Sequence, residues 1–373
     1  MSSHIKTFVQ HACSVFVTMT AAVAAAQAIE TPAVEPQAVE TQAVETQAIQ
    51  TEAVQTQVAQ AVPTPYGAVS LPFKLHKVAD LPVYYVIGLS GVPDAVNEGH
   101  TSNAGFVVTD AGVVVFDALG TPALGYRLLQ RIREVTDQPI ARIVVSHYHA
   151  DHVYGLQAFK QHAGNPEVWA ESLTLGYIGG SSASQGEDAE RRLAQRREAL
   201  FPWVDENTYI VPPDHTFEDE LTFELGGVTF MLKHLGPAHA PGDSIMLVKE
   251  YGVLFGGDVI FKGRVPFLDS PQTDITRWLQ GLDYLTKIEP APRYVIPGHG
   301  QLSTNVQQAI AVTYDYIKYV REVMREAVAD FVPFDEVYQA TDWSAYEDMP
   351  AFESSNRGNA YRIYLEMEAE SFE

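Results

Sequence analysis

The sequence predicts an α/β domain, on the basis of three features. Short runs rich in β-branched residues, such as residues 113–116 and 140–145, have the composition of buried strands. Segments with apolar residues at helical spacing lie between such runs, as in residues 122–135. Past Tyr66 about 300 residues remain, enough to bury one large core. We therefore expect one globular domain of strands and helices.

The first 28 residues have the pattern of an export signal. Lys6 lies near the start, an apolar stretch follows at residues 12–26, and Ala26-Gln27-Ala28 fits a signal-cleavage site. The stretch is too short for a good membrane span, and an amphipathic tail is the alternative. Removal of this segment removes Cys13, the only cysteine, so no disulfide can form afterwards. We expect a periplasmic or secreted protein.

Residues 29–65 are of low complexity. The five-residue unit Ala-Val-Glu-Thr-Gln at residues 38–42 recurs at residues 43–47 and in looser form up to residue 57. A period of five matches neither the helical nor the strand repeat, so no continuous apolar face forms. A flexible tether is the expected role, and a partner-binding arm is the alternative.

The predicted domain, residues 66–303, opens with a strand pair and a helix. Residues 106–108 and 113–116 flank the turn at residues 109–112, which predicts a β-hairpin. The helix predicted at residues 122–135 follows directly, and strands then alternate with helices up to His299.

A helical extension is predicted after this domain, at residues 304–373. Residues 305–331 carry a long helical pattern and residues 360–367 a shorter one. Residues 171–203 also stand apart, with a flexible run followed by four arginines. Their position in the chain predicts a lid over the active site, and a solvated helix with ion pairs is the alternative for the arginines.

A cluster of metal-binding side chains follows the strand predicted at residues 140–145. Its members are His147, His149, Asp151 and His152. In a tight turn His147 and His149 can converge on one ion, whereas Asp151 and His152 point toward a second. Imidazole and carboxylate suit Zn²⁺, although Fe or Mn accepts the same ligands, and each ion needs about four ligands. The remaining ligands must come from farther along the chain.

Three later strand ends supply the missing ligands, namely His239, Asp258 and His299. If Asp258 bridges, each ion gains four protein ligands, with room for a shared water between the ions. The first ion is then held by His147, His149 and His239, and the second by Asp151, His152 and His299. Five other histidines complete no ligand set and are expected to be ordinary structural residues: His76, His100, His162, His215 and His234.

Residues 83–300 resemble the metallo-β-lactamase superfamily in the order of their motifs. These motifs are H-x-H-x-D-H, then a single His, then G-G-D, then P-G-H-G. The resemblance implies a four-layer αββα sandwich with two metals at one edge of its sheets, bound by the seven residues named above. It also implies that Asp117 supports the ligands from behind. Asp258 stands where the best-known zinc β-lactamases have Cys, which excludes that subclass. Ala240 replaces a Thr that many relatives have, and Asp243 is expected to fix the shape of this loop.

In having an aspartate at position 258, the chain resembles the glyoxalase II-like thioesterases, lactonases, alkylsulfatases and phosphodiesterases of the superfamily, which carry an aspartate at this ligand position. The export signal and helical tail resemble the branch that accompanies periplasmic quinoprotein and sulfur-oxidation systems. The helical tail lacks the basic motifs expected of a glyoxalase II, which argues against glutathione thioesters.

The resemblance implies a hydrolase with two Zn²⁺ ions that cleaves an ester, lactone, thioester or amide, β-lactams included. Asp151 would orient the attacking water and accept its proton. The alternative is a non-haem iron oxidoreductase similar to persulfide dioxygenases, but those leave the second ligand set unused, and here it is complete. A protein that only binds its ligand is a third hypothesis, against which the intact ligand set argues.

The formal net charge of −23 limits the classes of partner that the protein is expected to bind. Nucleic acid and anionic membrane surfaces would be repelled, so a small-molecule substrate is expected. The charge also argues mildly against highly anionic phosphate substrates, although bound metals reverse the sign locally. The sequence does not predict the oligomeric state.

Overall fold

A computed structural model describes residues 62–372 except 180–182, 269 and 271. The predicted export signal and the repeats that define the predicted tether lie outside the described residues. Strand β1 (Val62–Thr64) pairs with β2 (Gly67–Val69) in a small antiparallel hairpin. This hairpin closes across residue 65, the predicted boundary between the tether and the domain.

The first sheet has seven strands that lie in chain order. They are β3 (His76–Lys77), β4 (Val83–Val86), β5 (Ala104–Thr109), β6 (Gly112–Phe116), β7 (Ile140–Val144), β8 (Glu167–Glu171) and β9 (His215–Phe217). Strands β3 to β6 are antiparallel, and β6 to β9 are parallel. The hairpin predicted between residues 106 and 116 is confirmed as β5 and β6.

The second sheet has five strands, also in chain order. They are β10 (Glu220–Leu225), β11 (Val228–His234), β12 (Ser244–Val248), β13 (Val253–Phe255) and β14 (Tyr294–Ile296). The β10 to β11 turn is Gly226-Gly227, and both glycines have positive φ, as the tight turns of hairpins require. Strand β14 is parallel to β13, and a helix connects them.

The helices cover the outer faces of the sheets. They are α1 (Pro122–Val135), α2 (Ala150–Val153), α3 (Leu156–His162), α4 (Ser172–Tyr177), α5 (Ala183–Leu200), α6 (Ile275–Leu285), α7 (Val306–Ala329), α8 (Phe334–Ala340) and α9 (Phe352–Glu370). Helix α1 has the predicted bounds: the Thr121 hydroxyl accepts a hydrogen bond from the Leu124 N–H, and Pro122 occupies the first turn.

Three buried clusters define four layers. One cluster lies between the sheets, where the rings of Phe116 and Phe255 are 5.3 Å apart. The second joins the first sheet to its helices, as at Leu128. The third joins the second sheet to α6, α7 and α9, with Trp278 and Ile363 fully buried. The predicted αββα sandwich is confirmed, and the C-terminal helices share the core of its second half.

Helix α9 is longer than the helical pattern predicted at residues 360–367. Its first half buries Asn356 and Asn359, whose amides hydrogen-bond other buried groups. Such polar residues leave no apolar periodicity to recognise. Within the part of the chain that the structure describes, no helix combines the length and apolar character needed to cross a bilayer.

Candidate metal centre

All seven predicted ligands meet at one edge of the sandwich, where strands end. Strand β7 leads to His147, His149, Asp151 and His152, and His149 is the N-cap of α2. The loop between β11 and β12 carries His239, the turn after β13 carries Asp258, and the loop after β14 carries His299. The side chains assemble because neighbouring strands end at this edge.

The first predicted ligand set converges on one point. The His149 Nδ1 atom lies 3.0 Å from His147 Nε2 and 2.7 Å from His239 Nε2. His147 and His239 are buried, whereas His149 is partly exposed. Three imidazole nitrogens that face one another in this way have the arrangement of a metal-binding group.

The second predicted set, Asp151, His152 and His299, also converges. Asp151 Oδ2 lies 3.7 Å from His152 Nε2 and 3.5 Å from His299 Nε2. The carboxylate oxygen and both imidazole nitrogens could contact a single cation. Among the described residues, His147 and His149 thus lie in one candidate group and Asp151 and His152 in another, as their spacing predicts, while a third group joins His147 and His152 with Asp258.

Asp258 lies between the two sets. Its Oδ1 is 3.2 Å from His152 Nε2, and its Oδ2 is 3.2 Å from His299 Nε2 and 3.5 Å from His239 Nε2. Asp258 therefore faces members of both sets, and its bridging of two ions stays a prediction. A Cβ at Gly298 would come within 2.0 Å of Asp258 Oδ1, which explains a glycine there.

The buried atoms of this centre fit a metal. His152 Nε2 and Asp258 Oδ1 are buried and lie 3.2 Å apart, and neither makes a well-aligned hydrogen bond with a described residue. Burying such groups without a partner is costly, and a cation would supply the missing interaction. The donor set of imidazole and carboxylate accepts Zn²⁺, Fe or Mn.

Hydrogen bonds orient three imidazoles with Nε2 toward the centre. His239 Nδ1 donates to the Phe267 carbonyl at 2.7 Å, and His299 Nδ1 donates to the Thr101 carbonyl at 2.7 Å. His152 Nδ1 lies 2.8 Å from Asp117 Oδ2. Because these partners are acceptors, Nδ1 carries a proton in each of the three rings, and Nε2 is the nitrogen that faces the candidate metal centre.

Asp117 has the supporting position predicted for it. Besides His152, it accepts hydrogen bonds from the Ser146 N–H at 2.8 Å and the Ser146 hydroxyl at 2.9 Å. The same hydroxyl lies 2.9 Å from His147 Nδ1. One buried carboxylate thus holds a ligand of the second set directly and one of the first set through Ser146.

Burial and neighbouring charges set the pKa values of the ligands. Burial raises the pKa of Asp151, but His152 and His299 outweigh it and lower the pKa to about 2. Burial also opposes ionisation of Asp258, yet the same two histidines hold its pKa well below 3.8. Conversely, burial lowers the pKa of His152, whereas Asp258, Asp117 and Asp151 raise it well above 6.5. Both ligand carboxylates are ionised at neutral pH and attract cations.

The loop that carries His239 is shaped by Asp243, as predicted. Asp243 Oδ2 accepts a hydrogen bond from the Ala240 N–H at 2.6 Å. His234, at the end of β11, lies 2.8 Å from the Pro241 carbonyl through its Nε2 atom. It stabilises the loop and belongs to neither ligand set.

The other four histidines also lie outside both sets. His100 is fully buried, stacks on Phe73 at 5.1 Å, and has a pKa lowered to about 4 by burial. His76 stacks on Tyr85, His162 contacts Tyr66, and His215 stacks on Trp169.

Several supporting residues were not predicted. The Thr101 hydroxyl donates to Asp151 Oδ2 at 3.0 Å, in addition to the contact of its carbonyl with His299. An Arg264 guanidinium nitrogen lies 3.2 Å from His299 Nδ1. Asn359 binds the loop that supplies the Phe267 carbonyl. The one available signal was the polar run at residues 101–103 directly before a buried strand.

A cavity of about 340 Å³ opens beside the centre. Asp151, His239 and Asp258 reach it from one side, and α9 borders it from another. The candidate ligands are therefore accessible to a small molecule.

Arg196, from the segment predicted to be a lid, lines this cavity. An Arg192 nitrogen donates to the Tyr177 carbonyl, and its guanidinium lies 5.0 Å from the Tyr148 ring centroid. Arg191 pairs with Asp188 at 2.6 Å. These arginines thus make both packing contacts and surface ion pairs; movement of the segment as a lid stays a prediction.

The model of the metallo-beta-lactamase superfamily matches residues 97–299. A hydroxyacylglutathione hydrolase from Haemophilus influenzae is 30% identical over 49% of this chain and 78% of its own length. A linear primary-alkylsulfatase from a Pseudomonas species is 24% identical over 57% of this chain, which spans only 44% of that relative. The chain belongs to the metallo-beta-lactamase superfamily.

Solved structures show the same fold. The sec-alkylsulfatase Pisa1 from a Pseudomonas species aligns with a TM-score of 0.60 and 18% identity, over 79% of this chain and 50% of its own. A metallo-beta-lactamase from Pontibacter korlensis aligns with a TM-score of 0.50 and 20% identity, over 66% of this chain and 99% of its own.

Proposed function

We propose that this hydrolase uses two metal ions, expected to be Zn²⁺, to cleave an ester, lactone, thioester or amide bond, β-lactams included. The observation that carries the proposal is the position of Asp258 between two complete ligand sets. An enzyme with one metal would need only one of these sets. The second set surrounds the buried His152, whose Nε2 faces two ligand carboxylates, Asp258 at 3.2 Å and Asp151 at 3.7 Å.

When bound, the metals would polarise the scissile bond and activate water for attack at neutral pH. The protein contributes the rest of the chemistry. Asp151 is the catalytic residue of the proposal, because it is ionised, reaches the cavity, and is held by the Thr101 hydroxyl at 3.0 Å. It orients the attacking water and accepts its proton. Its low pKa makes it a weak base, so most of the activation is assigned to the metals.

The relatives widen the set of substrates to test. One of them is an alkylsulfatase by name, so sulfate esters belong beside carboxylic esters, lactones, thioesters and β-lactams. The hydroxyacylglutathione hydrolase adds a glutathione thioester, against which the sequence of the helical tail argues. Hydrolysis of one of these classes, lost with a chelator and restored with Zn²⁺, would support the proposal.

Metal analysis of the purified protein tests the proposal most directly. About two Zn²⁺ per chain are expected, and His152→Gln should reduce this to about one. His215→Gln is the matched control, because His215 lies on β9 outside both ligand sets. A single iron per chain, unchanged in His152→Gln, would overturn the proposal in favour of the iron oxidoreductase.

We also propose that the protein is exported, on the strength of residues 1–28. Expression of the full chain with its native N-terminus should yield a mature form that begins after Ala28. Mass spectrometry of the periplasmic or secreted fraction checks this. An uncleaved protein in the cytoplasm would contradict it.

A further inference from the structure

The wall of the 340 Å³ cavity beside the metal centre contains more than the candidate ligands. Four other parts of the chain contribute to it: the loop after β4, the loop before α6, helix α5 and helix α9. Their lining residues include Val92, Arg196, Arg264, Phe267, Leu268 and Ser355. These residues would surround the part of a substrate that does not react.

Apart from the candidate ligands, the charged side chains of this wall are positive, whereas the chain as a whole is acidic. The chain has 47 acidic residues and 24 lysines and arginines. Among the described residues of the wall, the acidic ones are Asp151 and Asp258, both candidate ligands. The other charged side chains there are Arg196 and Arg264. Once cations neutralise the two carboxylates, the wall is positive and favours an anion.

The two arginines are held differently. Arg264 is fully buried, donates to the Gly91 carbonyl at 3.2 Å, and lies 4.5 Å from the Phe267 ring centroid. It is fixed by packing. Arg196, on α5, is partly exposed and makes no hydrogen bond or ion pair with a residue that the structure describes. Its guanidinium can therefore bind a ligand.

Arg196 also borders a second cavity, of about 370 Å³, that shares His149 with the first. It thus lies where the two cavities adjoin. A planar guanidinium with several N–H donors suits a carboxylate or another oxyanion. Val92 and Leu268 in the first cavity add apolar surface for the carbon chain of a ligand.

We propose that Arg196 binds an anionic oxygen group of the substrate, a carboxylate or a sulfonate, while the scissile bond lies at the metal centre. The preferred substrates are then esters with a short apolar chain and a negative charge away from the bond that is cleaved. This inference rests on the proposed hydrolase function and adds the substrate class. The repulsion expected from the net charge of the chain does not apply inside this cavity.

A matched pair of esters tests the inference. Nitrophenyl hemiglutarate carries a terminal carboxylate, and nitrophenyl butyrate is its neutral counterpart. We expect kcat/KM to be about tenfold higher for the hemiglutarate, mainly through KM, because Arg196 would make a charged hydrogen bond. The Arg196→Gln variant should lose this advantage, so that its kcat/KM is about equal for the two esters, and Arg196→Lys should retain part of the advantage.

Arg277→Gln is the matched control. Arg277 lies on α6, its side chain is 61% exposed, and it borders neither cavity. This variant changes the net charge by the same amount and should keep the full preference for the hemiglutarate. Equal loss of preference in both variants would show a general charge effect and overturn the inference. A sulfonate in place of the carboxylate distinguishes recognition of charge from recognition of a planar group.

A binding measurement separates this inference from the proposed function. Glutarate and butyrate are titrated calorimetrically into the metal-loaded protein, which requires no turnover. Tighter binding of glutarate, lost in Arg196→Gln, supports the inference even if neither ester is hydrolysed. Hydrolysis of both esters at equal rates, with equal binding of both acids, would refute the role of Arg196 and leave the hydrolase proposal standing.

Discussion

Replacing Asn359 with alanine should weaken metal binding at the set that contains His239. Asn359 lies on α9 and is 3% exposed. Its Oδ1 accepts from the Leu268 N–H at 2.9 Å, and its Nδ2 donates to the Pro266 carbonyl at 2.7 Å. The Phe267 carbonyl between these two groups orients His239. Asn359 therefore fixes the loop whose Phe267 carbonyl orients His239.

The magnitude follows from these contacts. Asn359→Ala leaves two buried backbone groups without their partner, at about 1–3 kcal/mol each. A total of about 2–6 kcal/mol lies below most of the usual range of stability, about 5–15 kcal/mol, so the variant should still fold. Loss of support behind a ligating histidine typically weakens metal binding by about 10–100-fold. We expect this loss for the ion at His239 and a much smaller one at His152.

Titration of the metal-free protein with Zn²⁺, in competition with a chromophoric chelator, resolves the two affinities. Asn356→Ala is the matched control, because Asn356 is buried on the same helix and hydrogen-bonds Tyr316 and Tyr338. It should lower the melting temperature without changing either affinity. Equal weakening of both ions, or the same weakening in Asn356→Ala, would refute the reasoning.

Three further predictions concern the metal centre and α9. Asp258→Ala should reduce the metal content below one ion per chain, because Asp258 faces both sets; elemental analysis that still finds two ions would contradict bridging. Asp117→Asn should weaken the ion at His152 by about 10–100-fold, as measured by chelator competition, since it removes the carboxylate behind that imidazole. Burial, followed by the nearby Asp274, raises the pKa of Glu366 from 4.5 to about 7, so its ionisation reduces stability as the pH rises through that range. Glu366→Gln should therefore raise the melting temperature by an amount that grows between pH 4.5 and about 7 and stays constant at higher pH. Glu353→Gln, at an exposed position, is the control and should show no such gain. A gain of the same size at acid pH, or in the control variant, would contradict this cause.

The ligands could be predicted from the sequence because each follows a strand and has a characteristic side chain. His147 and Asp151 lie within one turn, so their spacing alone separates them between two ions. Asp258 and His299 are distant in sequence, but each ends an apolar run that leads to the same edge of a sheet. Local pattern and side-chain chemistry were sufficient.

The supporting residues could not be predicted in this way. Asn359 contacts Leu268 across 91 residues of sequence, and Thr101 contacts His299 across 198. Neither asparagine nor threonine marks a metal site by its type, and the key acceptor at residue 267 is a backbone carbonyl, which every residue has. Their roles arise only when segments distant in sequence come together in the fold.

The C-terminal helices illustrate the same limit. The sequence predicts them as an extension after the domain, yet α9 shares a core with α7, and its Ser355 and Asn359 border the cavity. Through Asn359 it also supports the loop behind His239. One helix thus contributes both to the wall that would contact a substrate and to the orientation of a metal ligand. We therefore expect a displacement of α9 to change substrate recognition and metal binding together, through contacts that lie outside the ligand motifs.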